Sequence, residues 1–592
     1  MKKKALSICR YFYKYIYNTS KGYFVVLFIN IIFVAISPIN SMLLTKSLLD
    51  SIIEKENIIS WLILLVVSNF IIGVVINFTK EIRLKYEDRF SREFDLDLSK
   101  KNMETKYSDT EKASNIEALN KAVTGMSWYS GGVRGLSDCF VGIISSILTL
   151  IGVTYIISTI SVSLIICSVI TVSVNTLSTS KCNKAQQEVF SITPAINKFY
   201  HYIYQKVTDR KYAKEIRLYN ASNMILNKEL ENANELNKID NRCACKQTFW
   251  GCLGGVTSAL NYCVVYVYLG LLALQGRISI SEVVLCVSAV DALVNGCLIS
   301  IIRLVQDIGL KCDFMGAFID FMKSDEKIKS GNLIVDEFQF EQLDFKNVYF
   351  KYPGSNDYIL ENVSFTIRKN ESVSFVGLNG AGKSTIVKLL CRLYTVTDGE
   401  ILLNGVSIYD YEYKEYLKHL SVVFQDFKLL GYSIDENIKM GDRDKPFKRS
   451  DIYNRSGLNS WVEKQKYKGN TLLYRDYDSE GVEPSGGIAQ KIAIARALQR
   501  DSSIIILDEP TAALDPVAEY EIYERFNQLV KNKTAIYISH RLSSCKFCDR
   551  IIVINKKSVA EEGNHYELLK KGGLYAEMYN TQASWYKKAE LA

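Results

Sequence analysis

ESVSFVGLNGAGKSTIVKLLCRLY, residues 371–394, decides what the second half of this chain must be. An apolar strand, Ser374 to Val376, runs into Gly377-Leu-Asn-Gly-Ala-Gly-Lys383-Ser384 and then into a helix-forming run. That is the pattern G-x-x-x-x-G-K-[ST] in the strand-to-helix setting it requires. The glycines let successive backbone N–H groups wrap phosphates, and the helix N-terminus adds partial positive charge. Lys383 then reaches β- and γ-phosphate oxygens, and the Ser384 hydroxyl holds Mg2+. Gly377, Leu378, Asn379, Gly380, Ala381, Gly382, Lys383, Ser384 and Thr385 are therefore the expected nucleotide-binding residues, with ATP and Mg2+ as the expected cofactors.

A matching acid lies downstream. In SSIIILDEPTAALD, residues 502–515, a buried apolar strand over Ile504 to Leu507 ends in Asp508 and Glu509. An aspartate at a strand end can hold Mg2+, and the next carboxylate can orient or deprotonate a water beside the γ-phosphate. AIYISHRLSS adds a strand that ends near His540, a second candidate for γ-phosphate contact and catalysis.

The first half is of another kind. The chain has 592 residues, too many for one ordinary domain, and its long apolar runs fall before about residue 310. Six runs are long enough to span about 30 Å of hydrocarbon. They lie at about Tyr23 to Leu44, Ile58 to Phe78, Cys139 to Ile157, Ile160 to Thr176, Trp250 to Leu274 and Val283 to Leu304. Pro38 is expected to kink the first, which membrane helices tolerate. The connections 80–136 and 179–248 carry 11 and 12 Lys plus Arg, against two in the short connections on the other side. Basic loops stay in the cytoplasm, so both long connections are cytoplasmic and the protein is a multi-pass protein of the cytoplasmic membrane. Their helix-like composition makes them extensions of the spans, serving as coupling arms.

The same placement accounts for the net charge of +8 and pI near 8.6 without a nucleic-acid partner. The 14 cysteines include the pairs Cys243/Cys245 and Cys545/Cys548, but with four histidines and no second pair they complete no zinc site. In a reducing cytosol free thiols are expected. The organisation read from these features is a cytoplasmic segment 1–22, a transmembrane domain 23–310, a linker 311–340, a nucleotide-binding domain 341–580 and a tail 581–592.

From about residue 20 to 580 the chain resembles the ATP-binding cassette exporters of the half-transporter type, bacterial peptide or multidrug class. The resemblance implies a membrane α-helical bundle of six transmembrane helices followed by an α/β P-loop NTPase domain. It implies an ATPase coupled to transport, with membrane lipid as its surroundings. In this family an aromatic before the first domain strand stacks on adenine, matched by Tyr352 in FKYPG. A glutamine that also ligates Mg2+ is matched by Gln425 in VVFQD, the acid pair by Asp508 and Glu509, and the following turn by Ala513, Leu514 and Asp515. The switch histidine is matched by His540. YAKEIRLYN, Tyr212 to Asn220, resembles the second coupling arm, and the first is expected near Tyr107 to Asn120.

GVEPSGGIAQK, residues 481–491, occupies the place of the family signature Leu-Ser-Gly-Gly-Gln. Ser485, Gly486 and Gly487 survive and, with Asp515, are expected to act on nucleotide held by a partner chain. Pro484 replaces the leucine and Ile488 the glutamine. A proline before a helix N-terminus loses little, whereas losing the glutamine amide removes a polar contact. An intact phosphate site beside an altered signature favours pairing with a different half-transporter over self-pairing.

The first span begins near residue 23, so no N-terminal peptidase domain and no leader-cleaving activity are expected. The transported substrate is a peptide, a drug-like or amphipathic molecule, with lipid as the alternative. A protein that senses or gates without transporting is the rival function. Asp291 lies about 10 residues, roughly 15 Å, inside the last span. Such a charge either faces a substrate cavity, where it could meet a cationic group, or is a hydrated or hydrogen-bonded helix residue.

Overall fold

The computed structural model describes residues 2–126, 131–324, 328, 330–334, 339–441, 446–476, 478–509, 533–538 and 542–589. The chain divides into two compact units: Met1–Met103 with Ala113–Asp325, and Glu104–Lys112 with Glu326–Ala592.

The first unit is helical: α1 (Lys2–Thr19), α2 (Gly22–Glu54), α3 (Ile58–Glu104), α5 (Ala113–Met126), α6 (Gly132–Ile160), α7 (Val162–Thr208), α8 (Ala213–Leu218), α9 (Ser222–Leu274), α10 (Ile280–Asp291) and α11 (Ile299–Met322); the short α4 (Tyr107–Thr110) falls in the second unit. A π-helical segment, Ala292–Leu298, joins α10 to α11 without a break. Among the described residues six helices are long and apolar enough to cross a membrane: α2, α3, α6, α7, α9 and the α10–α11 rod. With 47 residues, α3 is about 70 Å long at 1.5 Å per residue, so more than half of it lies outside a hydrocarbon layer of about 30 Å. Helix α2 continues through Pro38 from Gly22 to Glu54.

Polar side chains knit the bundle. Between α7 and α9, Asn175 donates to Ser258 at 2.9 Å, Cys243 donates to the Ala185 carbonyl at 3.0 Å, and Ser178 donates to the Trp250 carbonyl. Such bonds hold helices together where lipid supplies no hydrophobic drive. Tyr23 of α2 donates to Glu87 of α3 at 2.9 Å and shares a 2.7 Å bond with Ser137 of α6, while Arg83 bonds Glu87 and Asp138.

Two segments differ from expectation. Residues 2–19 form a helix that the sequence reading left unassigned; Ile8, Phe12 and Ile16, four apart, bury one face against Phe94 and Phe318. Cys9 on that face lies with its Sγ 3.5 Å from that of Cys312 in α11. Helix α11 runs to Met322 through residues assigned to the linker, because Cys312, Met315, Phe318 and Ile319 belong to the same core.

The second unit contains two sheets. Strands β1 (Gln342–Phe350), β2 (Leu360–Arg368), β4 (Asp398–Leu403) and β5 (Val406–Ser407) form an antiparallel sheet in the order β2-β1-β4-β5. A six-stranded sheet has the order β10-β9-β3-β8-β7-β6, from β3 (Ser372–Val376), β6 (Leu420–Val423), β7 (Ile504–Asp508), β8 (Thr534–Ile538), β9 (Arg550–Asn555) and β10 (Ser558–Gly563). All its pairings are parallel except β9 with β10. Every residue of β7 and β8 is buried, which explains their unbroken apolar runs: a parallel sheet is covered on both faces.

Helix α12 (Lys383–Leu390) follows β3. Helices α13 (Tyr413–Lys418), α14 (Ile434–Lys439), α15 (Arg449–Ser456), α16 (Asn459–Glu463) and α17 (Gly486–Arg500) come between β5 and β7. A second core, with Ile434, Ile452, Leu458, Ile492 and Leu498, joins α14 to α17. The tip Glu104–Lys112 of the long connection after α3 clusters with this unit: Tyr107 meets Tyr394 edge to face at 5.7 Å, and Tyr394 donates to Glu111.

Candidate nucleotide site

In an open parallel sheet, ligands bind beyond the carboxyl ends of the strands. There β3 turns through 377–382 into α12. At Gly377 a Cβ would lie 2.3 Å from the Ile554 carbonyl oxygen. At Gly382 the backbone has φ +101° and a Cβ would meet the Leu360 side chain at 2.6 Å. Only glycine fits either position, so the loop keeps its shape and its N–H groups stay clear of side chains.

Lys383 curls back over this loop and donates to the carbonyls of Gly377 and Leu378 at 2.8 and 3.0 Å. Burial pushes its pKa down, opposed by the nearby Glu509 and Asp508. The Gly377 and Leu378 carbonyls are neutral acceptors that an anionic phosphate can replace with a stronger charge-assisted bond.

Ser384 donates to Asp508 Oδ1 at 3.2 Å, joining the start of α12 to the end of β7. Asp508 is 3% exposed, and burial pushes its carboxyl up to about 6, against the lowering effect of the Ser384 bond. Glu509 follows in a left-handed conformation, φ +50°, its N–H held by the Ile538 carbonyl at 2.9 Å. Its Oε2 accepts from Gln425 Nε2 at 2.7 Å. Burial raises the Glu509 pKa as well, with Lys383 opposing. Two strand ends thus bring a base-capable carboxylate and an amide together across 84 residues of sequence.

A hard cation fits these donors. A hydroxyl, a buried carboxylate and the free carbonyl end of the Gln425 amide offer the oxygen set that Mg2+ takes, and a cation would relieve the desolvation of Asp508.

Tyr352 lies after β1, in the turn to β2, and not before the first strand as expected from the sequence. Its hydroxyl bonds Thr385 at 3.0 Å, Tyr394 packs edge to face at 5.1 Å, and Lys388 sits 5.5 Å from its ring centroid. The sequence reading missed Tyr394 and Lys388. Both lie within 11 residues of Lys383 on α12 or just after it, and that proximity was the available signal.

Ser485 is the N-cap of α17, accepting from the Ile488 N–H at 3.4 Å, and both Ser485 and Gly486 are exposed. Ile488 packs against the second core. Among the described residues no hydrogen bond or ion pair joins Ser485, Gly486 or Gly487 to Lys383, Ser384, Asp508 or Glu509 of the same chain. His540 and the turn Ala513, Leu514 and Asp515 lie outside the described residues. Asp291 belongs to the helical unit, where it bonds Tyr262 and Asn295. Among the described residues no cluster of His, Cys, Asp and Glu is built to hold a metal, and their cysteines are free thiols.

Known proteins agree with this arrangement. A family model described as ABC transporter matches residues 360–512. The subtilin transport ATP-binding protein SpaT of Bacillus subtilis is 29% identical over 588 residues, covering 96% of this chain and 92% of that protein. An ATP-dependent lipid A-core flippase of Haemophilus ducreyi is 39% identical over 243 residues, 40% of this chain and 41% of its own length. A solved bacterial Atm1-family ABC exporter with ATP bound has the same fold, with a TM-score of 0.76 at 19% identity, covering 94% of this chain and 99% of that one. The chain thus joins six helices long and apolar enough to cross a membrane to an ABC transporter domain on one polypeptide, and over nearly its whole length it is similar to ABC exporters of the half-transporter kind.

Proposed function

We propose that the protein exports an amphipathic, peptide-like substrate across the cytoplasmic membrane, powered by ATP bound at Lys383, Ser384 and the 377–382 loop. The observation that carries this reading is the pair of bonds Ser384–Asp508 and Gln425–Glu509 beside the phosphate loop. ATP would take over Lys383 from the Gly377 and Leu378 carbonyls, while the loop N–H groups wrap its phosphates. Tyr352, whose hydroxyl bonds Thr385 beside the loop, would stack on the adenine. Ser384, Asp508 and the Gln425 carbonyl would hold Mg2+, which when bound draws charge from the phosphate oxygens. Glu509 accepts the proton of a water whose oxygen bonds the γ-phosphorus as the bond to the bridging oxygen breaks, leaving ADP and phosphate. The Gln425 amide fixes the carboxylate that does this. His540 is assigned a contact to the γ-phosphate.

Ser485 and Gly486, exposed at the start of α17, would face nucleotide on a second chain, together with Gly487 and Asp515. The partner is a different half-transporter: this chain has a full phosphate site but offers Ile488 where a polar side chain would meet the partner's nucleotide. Peptide cargo is favoured by the relative whose similarity extends over the membrane domain, since that protein is named for subtilin transport. The flippase match, at 243 residues, is too short to include both the six spans and the cassette.

The test is ATP hydrolysis and ATP-driven uptake into inverted vesicles. Lys383→Ala should weaken nucleotide binding. Glu509→Gln should keep ATP bound and slow turnover by about 10² or more. Wild-type turnover in Glu509→Gln would refute the assignment of the base, and ATP hydrolysis without uptake of any peptide would favour a gating protein.

A further inference from the structure

Asp291 ends α10 about 11 residues inside the last span, roughly 16 Å along the helix from Ile280. The next turn is π-helical, Ala292–Leu298, a geometry that recurs at functional sites. Asn295, within it, donates to Asp291 Oδ1 at 2.9 Å and to the Tyr262 hydroxyl at 2.7 Å. Tyr262 itself donates to the same Asp291 oxygen. The bonds continue along α9 and across to α7. Ser258 donates to Asn295 at 3.5 Å, Asn175 to Ser258 at 2.9 Å, and Thr257 to Asn175 at 2.7 Å.

The two carboxylate oxygens are used unequally. Oδ1 accepts two bonds, whereas among the described residues no group donates to Oδ2 and no Lys or Arg pairs with Asp291. Asp291 and Asn295 are exposed. A carboxylate satisfied at one oxygen only is an incomplete site in a membrane span, where an unpaired charge is costly. A hard metal ion is also a poor match, because among the described residues no second acidic, histidine or cysteine ligand joins a cluster here. An oriented carboxylate with one open oxygen, in low dielectric, is matched by an N–H cation.

We propose that Asp291, held by Tyr262 and Asn295, binds an ammonium or guanidinium group of the transported molecule. The inference rests on the exporter reading and narrows its substrate to cationic amphipaths. Tyr262 and Asn295 act as positioning residues. They satisfy Oδ1 and leave Oδ2 pointing to the cargo's charge.

The test uses the full complex in lipid nanodiscs without nucleotide. Dansylcadaverine, which carries a primary ammonium, is titrated by fluorescence beside its N-acetylated neutral form. Wild-type protein should prefer the ammonium probe by about tenfold or more. Asp291→Asn should reduce the preference to below about twofold, with the neutral probe still bound. Tyr262→Phe should reduce the preference partly, and Asp291→Glu should retain part of it. A wild-type complex with no preference, including one that binds neither probe, overturns the proposal. So does a preference that survives Asp291→Asn; should that variant not fold, an unchanged preference in Tyr262→Phe has the same force. Absence of ATP-driven uptake in the vesicle assay counts against the exporter reading instead, so the two failures are read separately.

Discussion

Ile488 shows how one residue can serve its own chain and alter another's site. Its side chain joins the core of Ile434, Ile492 and Leu498, so the apolar substitution stabilises the cassette while removing an amide from the face that Ser485 and Gly486 expose. Ile488→Gln should therefore cost about 1 kcal/mol of cassette stability. Ser485→Ala should cost about 1 kcal/mol through its helix cap, seen as a lower melting temperature. Activity distinguishes the pairings. In a heterodimer, Ser485→Ala should reduce hydrolysis much less than Glu509→Gln, and Pro484→Leu with Ile488→Gln should change turnover only modestly. Equal losses in Ser485→Ala and Glu509→Gln would mean that both sites depend on this altered turn. Much of this site is legible in sequence because the phosphate loop and the Asp508–Glu509 pair are contiguous motifs. The Gln425–Glu509 bond and the core contact of Ile488 are made by packing distant segments, and no local pattern announces either one.

Among elements, the π-helical turn at 292–298 is the feature hydropathy could not reveal. Its residues are as apolar as those around them, and the wider turn depends on hydrogen bonding, which composition does not encode. The spans were legible because each is a long apolar run, and the helix over 2–19 left a readable trace in Ile8, Phe12 and Ile16. A π turn takes up one more residue than an α turn, so the helix after it keeps the facing of a plain α-helix one residue shorter. Gly296 lies in this turn. Deleting it should restore a plain α-helix, leave α11 facing nearly as before, and remove the wide turn that carries Asn295. The expected outcome is loss of cargo-stimulated hydrolysis and uptake with nucleotide binding retained. Normal stimulation in the deletion variant would show that the wide turn is immaterial.

For the whole molecule, the first measurement is a count of chain types in the purified complex by native mass spectrometry. Two different chains are expected, and a single type would remove the basis for unequal sites. The arrangement of six spans and a cassette was readable because membrane and nucleotide impose strong local constraints, apolar length and a glycine loop. Which chains pair is set by exposed surfaces, where a single sequence carries little pattern. The closeness of Cys9 and Cys312 also provides a measuring device. These two thiols come from opposite ends of the helical unit's sequence, yet their sulfurs are 3.5 Å apart in a core that includes Phe12, Phe94 and Phe318. Mild oxidation with diamide should join them into one disulfide, detectable as a mass loss of about two hydrogens and absent in Cys9→Ser. A core packed this closely should move as one body, so the bond should form equally fast with and without ATP and leave hydrolysis intact. If its rate instead varies with nucleotide, the cysteine pair becomes a native clock for the transport cycle, recording when the first helix parts from the last.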